Sequence, residues 1–508
     1  MKLAHKNWLN WFSIKTASSL LAVFLIQSLP GQSLLNGPLV THTTMHSVQV
    51  WAQLDEEGTA QLEYWLEGNP QQTWLSLPER AVLEQGHVVK LVAQKGIMPG
   101  QRYGYRLLIG EEKAPVYPEF RDGYTETGKI PLSFQSKPRW RWIPDESAGS
   151  KHSIFDFRIA LGSCSYINQP GTDREGGEPY GRGYQIFESI YEKKPDMMLW
   201  MGDNVYYREN EYESRGGMIA RWTHDRQTPE LGPLFANSIH YATWDDHDYG
   251  PNNIGRNYWL KEQASEVFQL MWGNPSAGLP ETPGIFTFIN WGDVNIYLMD
   301  NRTYLTPSES HPELFGQAKA MLGQEQVDWL IDHLAWAQSQ SATDGKSYPA
   351  RFNLIVLGNQ VLTQSKHPDN YRNYPEEWKY LMDRIVAEGI RGVVFLSGDV
   401  HFGEVNKIQH QWGNQSVTLL EITSSPLTAG AWPGSQSNDA RFDIFDGEAD
   451  RIGQNNFVTL DFTGSLEDRK MIIKYWDSEG NLLNQKEGAE TGTPTDASVI
   501  SAHSLSPR

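Results

Sequence analysis

The sequence predicts an α/β protein preceded by a small all-β module, and three observations predict it. Residues 38–138 alternate apolar and polar side chains in short runs broken by turn residues. Residues 152–480 instead alternate continuous apolar runs with helical stretches. Five of those apolar runs stop abruptly at residues able to bind a metal ion.

The chain has 508 residues, which at roughly 100–200 residues per domain suggests two or three domains. An apolar share of 39% and an aromatic share of 12% are those of a folded chain with a large core. Lysine plus arginine number 43 and aspartate plus glutamate 62, a balance of −19. That balance argues against nucleic acid or an anionic membrane as a broad surface partner, although bound cations can reverse the sign of a single cleft. Cys164 is the only cysteine, so no intramolecular disulfide forms.

The N-terminus reads as a signal peptide over 1–33. Lys2, Lys6 and Lys15 precede an apolar stretch over 17–29, too short for the about 20 residues of a membrane span. Gly31-Gln32-Ser33 offers a small-x-small cleavage site. The expected location is therefore exported (periplasmic, cell-surface or secreted), with no transmembrane span after signal removal. There is no twin-arginine pair and no cysteine to lipidate in this segment.

In the β module, Val48, Val50 and Ala52 alternate with polar residues, as do Leu62, Tyr64 and Leu66. Glu57-Gly58, Gly68-Asn69-Pro70 and Pro99-Gly100 supply turns. Strands at this spacing predict a small sandwich of immunoglobulin or fibronectin III type. A Trp-, Pro- and Ser-rich linker follows over 139–151. Helices are predicted over 183–194, 324–338 and 378–388 from apolar residues at helical spacing. Residues 486–508 lack aromatics and have few aliphatics, which predicts a disordered tail.

The strand ends carry the chemistry. Residues 157–161 lead into Gly162-Ser163-Cys164, and 197–201 into Gly202-Asp203-Asn204-Val205-Tyr206. Residues 241–244 lead into Asp245-Asp246-His247-Asp248, 352–357 into Gly358-Asn359-Gln360, and 393–397 into Gly398-Asp399-Val400-His401. Runs this apolar suit strands buried on both faces, and in open α/β sheets ligands sit beyond the C-terminal strand ends. Each motif alone has a bland reading as a core cysteine, a turn or a helix cap. Together they predict a metal site, because several carboxylates share a low-dielectric cleft only with cations or with protons.

At these residues the chain resembles the alkaline phosphatase D (PhoD-like) family of metallophosphoesterases. The motifs are Gly162-Ser163-Cys164, Leu199 to Tyr206, Thr243 to Asp248, Asp300-Asn301-Arg302, Leu357 to Gln360 and Leu396 to His401, and the likeness extends from about Val40 to Tyr475. The resemblance implies an αββα metallophosphoesterase sandwich holding Fe3+ and one or two Ca2+ ions. Cys164, Tyr206 and His401 would bind iron, Asp203 would bridge, and Asp246, Asn359 and Asp399 would hold the second metal or metals. His247 would sit beside the scissile phosphate. Asn252 and Asn253 fall where the family supports calcium, and Asp245 replaces Asp246 if the register slips by one. The donor chemistry agrees: thiolate, phenolate and imidazole suit a transition metal, and an all-oxygen set suits Ca2+.

The activity so implied is hydrolysis of small phosphate esters, mono- or diester, by metal-activated hydroxide or oxide. Arg302 is a candidate phosphate anchor, with a structural ion pair as its other reading. Two alternatives stand beside it: a phospholipase D-like phosphodiesterase on lipid headgroups, and a non-catalytic metal-containing surface binding module. Tyr180, Tyr184 and Asn257-Tyr258-Trp259 are candidates to shape a substrate pocket.

Overall fold

The computed structural model describes residues 32–110, 114–116, 131–138, 155–173, 177–339, 350–364, 367–432, 440–445, 451–465, 468–486, 490 and 492–505. The signal peptide expected over 1–33 lies outside these residues save for its last two, and the linker over 139–151 lies outside them entirely.

Two six-stranded mixed sheets form the centre. In the first, the order is Ile239–Thr243, Met197–Met201, Phe157–Gly162, Asn456–Thr463, Lys470–Asp477 and Val499–Ser501. In the second it is Thr287–Trp291, Val294–Leu298, Phe352–Val356, Val393–Ser397, Gln415–Thr423 and Glu404–Trp412.

Strand periodicity explains why these runs are apolar throughout. Ile159, Leu161, Leu199 and Tyr241 share one buried core with Leu298, Leu354, Val356 and Leu396 of the other sheet. Their alternates face outward: Ala160, Met198, Trp200 and Ala242 pack with Phe187, Trp222, Val267 and Phe268 of flanking helices. Tyr297, Ile355, Val393 and Phe395 pack with Leu330, Ile331, Leu381 and Ile385. The central strands, such as Met197–Met201, Ile239–Thr243, Phe352–Val356 and Val393–Ser397, are covered on both faces, giving the αββα layering.

Register aligns the strand ends. Gly162 pairs with Trp200, and Met201 with Thr243, in parallel. Val356 pairs with Leu396, and Ser397 with Thr423, also in parallel. The C-terminal ends of each parallel set therefore finish level, and the backbones beyond them interlock. Cys164 N–H donates to Gly202 O at 3.2 Å, Gly398 N–H to Gly358 O at 2.7 Å, and Leu427 N–H to Ser163 O at 2.8 Å.

The N-terminal region is all-β, as predicted. Leu34–Thr43, Val48–Leu54 and Val88–Ala93 form one sheet, and a second is built around Gly58–Leu66 and Arg102–Ile109. It is tied to the α/β layers by Trp51 Nε1 donating to Leu270 O at 3.0 Å and Tyr105 OH to Ala236 O at 2.8 Å. The buried Arg226 guanidinium lies 4.2 Å from the centre of the Trp51 ring.

Several elements differ from expectation. The helix predicted over 183–194 spans Gln185–Glu192, because Gly183 and Tyr184 have φ of 83° and 61°, outside the helical region. The helix predicted from 378 spans Pro375–Ala387, its proline fitting the first turn. Arg215–Arg226 and Lys261–Met271 are helices that were not predicted. The disordered tail expected over 486–508 is corrected within 492–505. Val499–Ser501 pairs with Lys470–Asp477, Ile500 and Leu505 are buried, and Asn484 Nδ2 donates to Ser498 Oγ at 2.6 Å. Two well-spaced aliphatics suffice for an edge strand where average composition suggests none. Among the described residues, no helix is long and apolar enough to cross a membrane.

Candidate metal centre

The strand ends bring Cys164, Asp203, Tyr206, Asp399 and His401 into one cluster. Cys164, Asp203, Asp399 and His401 all occupy the left-handed region, with φ of 60°, 52°, 68° and 58°. Such backbone costs roughly 1–3 kcal/mol per non-glycine residue and persists where the surroundings enforce it. Glycines allow the strand ends to touch. A Cβ on Gly358 would lie 2.5 Å from Asp245 Cγ, and one on Gly398 2.3 Å from Ser163 Oγ.

Asp203 is the hub. Its Oδ2 lies 3.6 Å from Cys164 Sγ and 3.2 Å from Tyr206 OH, while its Oδ1 accepts the His247 N–H at 3.2 Å. Tyr206 OH stands 3.3 Å from His401 Nε2. His401 Nδ1 lies 2.7 Å from Gly430 O. A carbonyl only accepts, so Nδ1 carries the proton and Nε2 presents its lone pair to the cluster. Asp203, Asp246 and His247 offer donor atoms within 4.8 Å of one another. The His247 ring packs against Tyr206 with centroids 4.3 Å apart and the planes tilted by 32°.

The two adjacent aspartates have different roles. Asp245 accepts Arg302 Nε at 2.5 Å, Asn301 Nδ2 at 2.8 Å and Asn359 Nδ2 at 3.2 Å. Its carboxylate is saturated by protein donors. Asp246 Oδ2 accepts the Asn253 N–H at 2.6 Å, but its Oδ1 is buried without a hydrogen-bond partner. A buried carboxylate oxygen of this kind is an opening for a cation. Asn359 joins the site through Asp245 and Asn301, whose Nδ2 lies 2.5 Å from Asn359 Oδ1. Asp399 turns its carboxylate to His367, 3.4 Å away.

The electrostatics point the same way. Burial, then Asp246 and Cys164, push Asp203 well above the carboxylate range. Burial, then Asp369 and Asp246, push Asp399 up to about 7, and burial pushes the Cys164 thiol up to about 12. Burial also raises Tyr206 and lowers His247 and His401. Asp246 is held down at about 2: burial opposes this, and His247 and Arg302 outweigh it. Most of the anionic donors thus lack compensating charge within the protein. A thiol, a phenol, an imidazole and several carboxylates in one buried cluster fit metal ions.

Of the two readings of Arg302, its contacts match the structural ion pair. It is fully buried, paired with Asp245 and 3.4 Å from Asp369 Oδ2. Asp300 accepts Trp244 Nε1 at 2.9 Å and the N–H groups of Arg302 and Thr303 at 3.0 Å, which makes it a turn-locking residue. Tyr184 OH bonds Asn168 N–H at 2.8 Å, and Tyr258 is buried, so of the tyrosine and tryptophan candidates Trp259 is the exposed one.

Sequence reasoning missed His367, Asp369 and Ser425, and named Asn301 only as part of the Asp300-Asn301-Arg302 motif without a role. Ser425 had the available signal: the Gln415–Thr423 strand also ends at polar residues, Ser424 and Ser425, but hydroxyls were not read as part of a metal site.

The family model for PhoD-like phosphatase matches residues 159–467, more than half of the chain. The chain belongs to the PhoD-like phosphatase family. The family resemblance read from the motifs therefore holds. Alkaline phosphatase D of Bacillus subtilis (strain 168) is 22% identical over 395 residues, covering 69% of this chain and 60% of that protein. The chain thus spans about 60% of the length of this curated relative. Among solved structures, that of PhoD superposes with a TM-score of 0.66 at 16% identity, covering 93% of this PhoD-like chain and 91% of the other. Purple acid phosphatase PPD1 from yellow lupin (Lupinus luteus) seeds superposes with a TM-score of 0.56 at 11% identity, covering 89% and 73%. At these identities the likenesses establish the metallophosphoesterase fold.

Proposed function

We propose that the chain is an exported, metal-dependent phosphoesterase that hydrolyses small phosphate mono- or diesters. The observation that carries this reading is the gathering of Cys164, Tyr206 and His401 around Asp203, in a chain of the PhoD-like phosphatase family.

In this reading Cys164, Tyr206, His401 and Asp203 hold Fe3+. Asp203, Asp246, Asn359 and Asp399 hold Ca2+, with the open Asp246 Oδ1 as a donor. Bound metals supply Lewis-acid polarisation of the phosphate and activation of water. The protein's own contribution is positional. Asp203 keeps its two oxygens toward different neighbours, one facing Cys164 and Tyr206 and the other held by the His247 N–H. His247, packed against Tyr206 and only partly buried, would hydrogen-bond a phosphate oxygen or hand a proton to the leaving oxygen. Arg302 acts as a positioning residue, fixing Asp245, which in turn holds the Asn359 amide.

Rates on p-nitrophenyl phosphate and bis-p-nitrophenyl phosphate test the proposal, measured before chelation, after it, and after re-addition of iron and calcium. Hydrolysis of at least one ester that disappears and returns is the expected result. Metal-loaded protein that turns over neither ester would overturn it.

A further inference from the structure

One residue outside the predicted ligand set bridges two members of it. Ser425 is fully buried at the end of the Gln415–Thr423 strand. Its Oγ lies 3.2 Å from Cys164 Sγ and 3.0 Å from the backbone nitrogen of His401. A main-chain N–H can only donate, so Ser425 Oγ accepts there, and its single proton is directed to sulfur. Ser163 Oγ, 3.4 Å from the same sulfur, also lies 3.0 Å from Ser424 O, a carbonyl able to take its one proton. This leaves Ser425 as the committed donor.

The surrounding segment reinforces the link. Thr428 and Ala429 donate their N–H groups to Cys164 O at 3.2 and 3.1 Å. Gly430 O takes the His401 Nδ1 proton at 2.7 Å, and Trp432 N–H donates to His401 O at 2.8 Å. Residues 424–432 thus hold both the Cys164 and the His401 strand ends, and Asn456 Nδ2 fixes the segment through Ser425 O at 2.6 Å.

We propose that Ser425 is a positioning residue of the metal centre, relaying a directional hydrogen bond from the His401 amide to the Cys164 sulfur. The relay fixes the thiolate lone pairs, lowers their donor strength and locks two ligands from different strands at one spacing. The proposal rests on the metal-centre reading given above. Hydrogen bonds in series polarise one another, and outer partners of metal ligands commonly change metal affinity by about 10–100-fold.

The test uses the whole protein reconstituted with Co2+, whose thiolate-to-metal charge-transfer band reports sulfur donor strength. Ser425→Ala is expected to move the band to lower energy and weaken Co2+ binding about 10-fold. Ser425→Thr, which keeps the hydroxyl, should restore both, and Ser163→Ala should leave the band in place. A second measurement needs no variant. In the wild type reconstituted in D2O, the metal–sulfur stretch should shift, because the bonded proton exchanges. An unmoved band in folded Ser425→Ala, or an isotope-insensitive stretch, would overturn the relay while leaving the metal centre standing. Absence of any thiolate-to-cobalt band in the wild type would instead overturn the metal-centre reading.

Discussion

The Tyr206 phenol and the His401 Nε2 stand 3.3 Å apart although 195 residues separate them in sequence. Tyr206 follows the Met197–Met201 strand of one sheet and His401 the Val393–Ser397 strand of the other, so the contact joins strand ends of the two sheets. Tyr206→Phe keeps the ring packed against His247 and removes only the oxygen. The expected outcome is a folded protein whose metal affinity falls at least about 100-fold, beyond the usual effect of an outer-shell change. Equilibrium dialysis against a chelator measures it.

Asp245 and Asp246 differ by one position and should differ in kind. Asp246→Asn weakens the open oxygen site, so metal content and hydrolysis should fall with little loss of thermal stability. Asp245→Asn leaves the buried Arg302 short of its partner, and stability should fall by roughly 3–5 kcal/mol. Denaturant unfolding and elemental analysis of both variants separate the two effects.

Arg302 faces Asp245, Asp246 and Asp369 from full burial. Arg302→Met should destabilise by roughly 3–5 kcal/mol, because it strands carboxylates without counter-charge. Combined with Asp245→Asn, the cost should be less than the sum of the single changes, since each removes the other's uncompensated charge. A double-mutant cycle reads that coupling directly. Independent additive costs would contradict the ion-pair role of Arg302.

Stability of the metal-stripped protein should depend on pH with a definite sign. Burial first, then neighbouring carboxylates, raises Asp399 to about 7 from an ordinary 3.8. Burial likewise raises Asp248 to about 8. The folded state therefore binds more protons than the unfolded state above about pH 4. The associated stability is complete below the unfolded pKa and is lost as pH rises through about 7 to 8. Melting temperature should fall by several degrees from about pH 5 to about pH 8.5 in stripped protein, and by less when metals are restored.

Much of this cluster was legible in the sequence because its candidate donor side chains follow buried strands directly. An apolar run ending at Gly202-Asp203 or Gly398-Asp399 reports both the strand and its chemical end. Arg302 was ambiguous for the opposite reason: its sequence neighbours Asp300 and Asn301 do not reveal that Asp245 waits 57 residues away. Ser425 and Asn301 touch the cluster through partners distant in sequence, and although Ser425 follows a strand end, its hydroxyl does not reveal which partner it meets. The Arg215–Arg226 helix escaped notice because its buried face includes Arg221, Asp225 and Arg226, which blur the apolar period. The ordered edge strand at Val499–Ser501 was hidden by a segment average that dilutes Ile500.

Elemental analysis of the purified wild type beside Cys164→Ala, with phosphodiester turnover measured on the same samples, tests the metal centre most directly. The wild type should carry iron and calcium and hydrolyse bis-p-nitrophenyl phosphate, and Cys164→Ala should lose the iron together with most of the rate. A Cys164→Ala protein with wild-type metal content and wild-type turnover would contradict the account.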